Sequence, residues 1–230
     1  EEIEGLQLFV RTCQHCGAEA KKAEPFWFLS VGSKNHLTDA LDAACATDAV
    51  EGFVCGKCSQ VGTATTRCDI KRLPSALMIH ISRFQYDAKS NARIKLCDNI
   101  SFPTVLDMKR WAPSCHPDHT SYALHGVINH IGATPTSGHY TYHARFDDDT
   151  WGCFDDEMVS KLRKYSGVST TSREAYVLVY QRMVPCATMR DEEAAPFTTQ
   201  LSSFPPNLID RLMSLHEQLE AAAAQWKERR

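Results

Sequence analysis

"SGHYTYHAR" (137–145) and "TWGCFDD" (150–156) stand on either side of three aspartates at 147–149. "HYTYHARF" (139–146) and "TWGCF" (150–154) are β-forming runs, and the acidic triplet between them reads as a polar turn. Folding the chain back about residue 147 lays the runs antiparallel and brings His139 and Asp155 within a residue or two of facing. Opposed side chains in such a ladder have Cβ atoms about 4.5–5.5 Å apart, so an imidazole and a carboxylate placed there hydrogen-bond. The carboxylate then fixes the tautomer and supports the imidazolium formed when the ring takes a proton. Ser137 and Gly138 leave one approach to the ring uncrowded. The spacing alone leaves two readings open: a base with its orienting acid, or an ordinary surface contact.

Outward from this hairpin the chain is dominated by short strands. "SYALHGVINHIG" (121–132) precedes it and the apolar run "EAYVLVYQRM" (174–183) follows. "ALMIHISRF" (76–84) alternates, with Leu77, Ile79 and Ile81 on one face, and His80 and Arg83 as polar breaks. That pattern predicts a central strand, with His80 as a structural histidine. "ARIKLCDNISFP" (92–103) reads as a strand pair, "EPFWFLSV" (24–31) as one strand, and "VGTATTRCDIKRLP" (61–74) as extended chain ending at Pro74. "HLTDALDAACA" (36–46) predicts a short helix with Ser33 or Thr38 near its start. Few helices and many turns predict a largely antiparallel sheet. Residues 184–206 are polar and proline-bearing, and read as a linker. Residues 207–230 predict a helix with Leu208, Leu212, Leu215, Leu219, Ala222 and Trp226 on one stripe. That stripe either docks on its own domain or pairs with a helix of a protein partner.

The chain has 230 residues, a formal charge of -3 and 43% hydrophobic residues, the balance of a globular protein with a real core. The near-neutral charge gives no reason to expect nucleic acid as a partner. No apolar run approaches the roughly 18 residues of a membrane span. The opening "EEIEGLQLFV" lacks both the basic region of a signal peptide and an initiator methionine, from which a piece of a longer chain is expected.

Four of the ten cysteines form two tight pairs, Cys13 and Cys16 in "CQHC" and Cys55 and Cys58 in "CGKC". Each pair is a chelating corner, and two corners build a tetrahedral thiolate site for zinc in preference to disulfides. Four thiolates leave no open position, so the predicted zinc is structural and clamps the end of a β-rich excursion. The other six cysteines show no second pair, which agrees with a reducing compartment, cytoplasmic or nuclear.

These pieces together resemble the catalytic domain of the ubiquitin-specific proteases, in its C-terminal part, over about residues 8–182. The two cysteine pairs match the fingers region. "LPSALMIHISRF" (73–84), "KL" (95–96) and "ISFP" (100–103) match the palm. "YALHGVINHIGATPTSGHYTYHAR" (122–145) matches the histidine box, "WGCFDDEMV" (151–159) the acidic box and "AYVLVYQR" (175–182) the closing strand. The resemblance implies an α+β fold: the C-terminal part of a papain-like cysteine peptidase, an antiparallel palm sheet with zinc-bearing β fingers. It divides the chain into fingers (1–72), palm (73–183), linker (184–206) and C-terminal helix (207–230).

By position, His139 matches the general base, Asp155 the residue that orients it, and Asp156 a neighbouring polar residue with a supporting role. Gly138 and Tyr140 fall where family members admit the ubiquitin tail, through a channel narrow enough to select its two terminal glycines. The family nucleophile lies upstream of the fingers, in a cysteine box with a nearby Asn, and no cysteine here resembles that box. Cys153 lies on the face of Asp155, but its family position is not catalytic. The resemblance therefore implies a deubiquitinating thiol protease that needs an upstream Cys-bearing half, with ubiquitin as its partner. The competing class is a non-catalytic ubiquitin-binding or scaffold module.

Overall fold

In the computed structural model the described residues are 3–88, 91–134, 137–146, 150–162 and 169–183. The elements begin with β1 (Gly5–Cys13), β2 (Glu19–Phe26), β3 (Phe28–Gly32), α1 (Leu37–Cys45), β4 (Asp48–Val54) and β5 (Val61–Arg72). They continue with β6 (Ala76–Ser82), β7 (Phe84–Asp87), β8 (Ala92–Lys95), β9 (Ile100–Pro103), β10 (Val105–Asp107) and β11 (Ser121–Thr134). The last are β12 (Ser137–Arg145), β13 (Trp151–Asp155), β14 (Met158–Leu162), β15 (Ser169–Ser172) and β16 (Ala175–Arg182). The turn at 147–149, the linker at 184–206 and the helix at 207–230 lie outside the described residues.

The larger sheet has the order β14-β13-β12-β11-β16-β6-β3, with β10 added beside β11. Its inner strand β6 alternates strictly, and Leu77, Ile79 and Ile81 are fully buried. Ile79 pairs with Leu178 on one side and Leu29 on the other, so one apolar row crosses three strands. The short amphipathic helix α1 adds Leu37, Ala40 and Leu41 to that core, with Phe102, Trp111, Tyr122 and Tyr180. The phenols of Tyr122 and Tyr180 donate to the carbonyls of Pro74 (2.6 Å) and Pro103 (2.7 Å), which lets two polar tips sit inside the core. The smaller sheet, β2-β1-β5-β4, is antiparallel and carries both cysteine pairs at one end. The antiparallel sheet, few helices and cysteine-bearing second sheet agree with the expected fold class.

Three local expectations are corrected. "EPFWFLSV" is divided at Trp27: β2 belongs to the smaller sheet, whereas β3 joins the larger one parallel to β6. Residues 92–103 do not pair with each other, since β8 pairs with β7 and β9 with β15. The helix begins after His36, whose side chain makes no capping bond, rather than from a Ser33 or Thr38 cap.

Arg83 explains the second correction. Its guanidinium is fully buried and donates to four carbonyls: Ala175 (2.7 Å), Asp98 (2.9 Å), Leu96 (3.0 Å) and Ser172 (3.1 Å). These bonds draw residues 96–98 towards the chain before β16 instead of letting them turn into a hairpin. Arg83→Met removes all the donors at once and leaves buried carbonyls unpaired. Chemical denaturation of this variant is expected to show a loss of about 3 kcal/mol or more; a loss below about 1 kcal/mol contradicts the role.

Candidate active site and four-cysteine cluster

The pairing of β12 with β13 runs from Tyr142↔Phe154 to Arg145↔Trp151. It closes one residue later than the turn read from the sequence, which shifts the register by two and preserves parity. Asp155 and His139 therefore lie on one face, offset diagonally by two positions. Long side chains span such a diagonal, and His139 Nε2 is hydrogen-bonded to Asp155 Oδ1. The pair is half in water, with side chains 43% and 49% exposed.

Bonding through Nε2 has a chemical consequence. The carboxylate accepts, so the proton of the neutral ring is held on Nε2 and Nδ1 is the nitrogen free to take another. The hydrogen bond to Asp155 raises the His139 pKa above its ordinary value; desolvation opposes it, and the charges of Asp155 and Asp156 add to the rise. The sign follows directly. The protonated pair contributes stability below the ordinary histidine pKa and loses it as pH rises through the raised folded-state value.

Asp156 enters by local geometry. Asp155 pairs with Met158 across a tight turn, and Asp156 sits in the left-handed region at φ 49°, a conformation that Asp tolerates. Ligand atoms of His139, Asp155 and Asp156 all lie within 4.8 Å of one another. Cys153 is half-buried, and burial followed by the charge of Asp155 raises its thiol pKa, which disfavours the thiolate.

The four paired cysteines meet at the end of the smaller sheet. In the first turn Cys13 N–H donates to Ala18 O and Gly17 N–H to Cys13 O, both at 2.9 Å. In the second, Cys55 N–H donates to Gln60 O (3.1 Å) and Ser59 N–H to Cys55 O (2.8 Å). Gly17 (φ 67°) and Ser59 (φ 58°) take matching left-handed positions, so two like knuckles face each other. Cys13 Sγ lies 4.0 Å from Cys58 Sγ, and Cys16 Sγ lies 3.7 Å from Cys55 Sγ. A tetrahedral ion with bonds of about 2.3 Å to sulfur requires sulfurs about 3.8 Å apart. The sulfurs fit that requirement, and this cluster can hold a metal ion. Close packing of the thiols divides them: N–H groups of Cys58 and Lys57 bring the Cys55 thiol down to about 6, whereas, against the lowering bond from Gln60 N–H, burial and the neighbouring thiols push Cys58 up to about 11.

The sequence reading missed a group behind His139. His130 on β11 is buried opposite Tyr140, in edge contact with Tyr140 and Phe84. The available signal was the pairing of two rings across the β11–β12 hairpin.

The ubiquitin carboxyl-terminal hydrolase family model matches residues 10–180, which include every residue of both sites. The chain belongs to this family. Among curated proteins, the family member ubiquitin carboxyl-terminal hydrolase creB of Emericella nidulans is 31% identical over 203 residues, covering 84% of this chain. Ubiquitin carboxyl-terminal hydrolase 21 of Arabidopsis thaliana is 31% identical over 175 residues, or 74% of the chain. The chain spans only 26% and 23% of their lengths. Among solved structures, the SAGA Ubp8/Sgf11/Sus1/Sgf73 DUB module bound to ubiquitin aldehyde aligns at a TM-score of 0.68 and 28% identity, over 80% of this chain and 42% of that one. No helix among the described residues is long and apolar enough to cross a membrane.

Asp155→Asn removes the carboxylate that raises the His139 pKa while keeping an amide of similar size. Ring-nitrogen NMR titration is expected to show His139 falling towards 6.5; an unchanged midpoint in a folded variant contradicts the assigned cause.

Proposed function

We propose that this chain is the base-bearing part of a deubiquitinating thiol protease, completed by an upstream segment that brings the nucleophilic cysteine. The observation that carries the reading is the His139–Asp155 bond through Nε2, which leaves Nδ1 to exchange a proton with a thiol. Family membership and the ubiquitin aldehyde bound by the related DUB module support ubiquitin as the partner.

Nδ1 of His139 takes the thiol proton, and the thiolate attacks the carbonyl carbon of the ubiquitin–lysine isopeptide bond. The C–N bond breaks as the imidazolium protonates the departing lysine amine. The neutral ring then draws a proton from water, whose oxygen attacks the thioester; ubiquitin leaves as a carboxylic acid and the thiol is restored. Asp155 keeps the tautomer through both half-reactions, and Asp156 adds negative charge facing the imidazolium. The backbone at Gly138 and the exposed ring of Tyr140 border the route by which a slender, glycine-ended tail reaches the thiol.

Cys13, Cys16, Cys55 and Cys58 are proposed as the ligands of a structural zinc. The fit of the sulfur spacing supports this. Zinc there crosslinks the β1–β2 and β4–β5 turns and takes no part in the reaction.

With the upstream half present, His139→Ala is expected to lower single-turnover cleavage by about 10²–10⁴-fold, with ubiquitin affinity within about twofold. Comparable cleavage by variant and parent overturns the base assignment. Failure of the assembled parent to react with a ubiquitin probe bearing a C-terminal electrophile favours the binding-module reading instead. Cys55→Ala is expected to abolish stoichiometric zinc in metal analysis and to lower the Tm; retained zinc contradicts the four-thiolate site.

A further inference from the structure

The imidazole of His130 is 1% exposed, and its Nδ1 is buried with no hydrogen-bond partner among the described residues. A buried polar atom left unpaired costs about 1–3 kcal/mol, so its retention calls for a reason. Its surroundings supply one. Phe84 and Tyr140 pack edge-on against the ring, with centroids at 5.3 and 5.0 Å. The backbone beneath is pinned on both sides: His130 N–H donates to Glu174 O (2.9 Å), and Lys95 Nζ donates to His130 O. The backbone that carries the ring is thus fixed.

On the remaining side it meets Gly138. A Cβ at 138 would lie 2.2 Å from His130 Nε2 and 2.7 Å from Cε1, so the imidazole fills the volume a side chain would occupy. Gly132, at φ +152°, crosses nearby: a Cβ there would lie 2.7 Å from Ser137 O, 2.8 Å from the Gly138 Cα and 3.4 Å from His130 Cε1. Two glycine backbones thus close over one buried ring, where the β11–β12 register shifts between Ile131 and Thr134. His139 is the next residue.

We propose that His130 is a positioning residue: its buried ring is the floor on which the Gly138 backbone rests, setting the height at which His139 meets Asp155. Burial and the nearby Lys95 lower the pKa of His130, which favours the neutral ring. The contribution to catalysis rests on the reading of His139 as a base. The geometric claim does not, because it can be tested on this chain alone.

The test is ring-nitrogen NMR of His139 in the full chain, alongside thermal melting. His130→Ala removes the floor and is expected to move the His139 midpoint towards 6.5 and to speed exchange of the Nε2 proton. Gly138→Ala pushes on the same contact from above and is expected to shift His139 likewise, and to shift it less when His130 is already Ala. His80→Ala is the control. That ring packs edge-on against Tyr176 in the same aromatic group, but is not among the close neighbours of Gly138. A folded His130→Ala protein whose His139 titrates like the parent overturns the proposal, as does an equal shift from His80→Ala. Should His130→Ala fail to fold, the presence or absence of the shift in Gly138→Ala decides. In the assembled protease, His130→Ala is expected to lower kcat at least tenfold with KM within twofold. A shifted His139 midpoint with unchanged kcat would overturn the base assignment and leave the positioning intact.

Discussion

Arg83 is the constraint on which the arrangement of the larger sheet depends. Placing a guanidinium inside a protein costs several kcal/mol of lost hydration, and only good hydrogen bonds offset that. Here four carbonyls from two separate segments converge on it, and its own carbonyl accepts from Leu96 N–H at 2.7 Å. The end of β6 is thereby joined to the chain after β8 and to the chain before β16. Lys95, next to one of the bound carbonyls, is carried to the His130 carbonyl. His130 in turn backs Gly138, and Gly138 precedes His139. Arg83 thus reaches the candidate base through a short series of contacts, each made by one side chain on the backbone of another segment.

Features that depend on parity or on short spacing were legible in the sequence. Alternation along 76–82 marked a strand with one buried face, and the two Cys-x-x-Cys pairs marked the ends of two turns. The His139–Asp155 contact survived an error of one residue in the turn centre. That error shifts register by two and leaves both side chains on one face. What was not legible depends on long-range partners. Trp27 divides an apparently continuous strand because β3 has a parallel partner, β6, nearly fifty residues away. β4 and β14 are mostly exposed and so lack the apolar alternation by which strands are recognised. The role of residues 96–98 became visible only once Arg83 was seen to bind their carbonyls. His130 was missed, because its contact with Gly138 depends on how the β11–β12 turn closes.

The half-exposure of the His139–Asp155 pair also has a physical meaning. In open water an imidazole–carboxylate hydrogen bond is weakened by competing solvent, and the charges are screened. Covering the pair strengthens the interaction without moving either residue. The proposed upstream half would therefore supply more than a thiol. By displacing water it would sharpen the preference of Asp155 for the imidazolium and stabilise a thiolate beside it.

The two sites are also mechanically separate, by topology. The four-cysteine cluster lies at the β1–β2 and β4–β5 turns, and the smaller sheet leads into the larger through β3 and β6. Those two strands are at one side of the larger sheet, whereas His139 and Asp155 lie on β12 and β13 near the other, with β16 and β11 between. The β11–β12–β13 ladder has its own antiparallel pairing, and the ring of His130 is pinned within it. Disturbance at the cysteine turns must cross β6, β16 and β11, strands whose buried side chains are close-packed, before it can alter the base. The candidate base and its orienting acid are thus positioned by the β11–β12–β13 ladder, separately from the turns that carry the four cysteines.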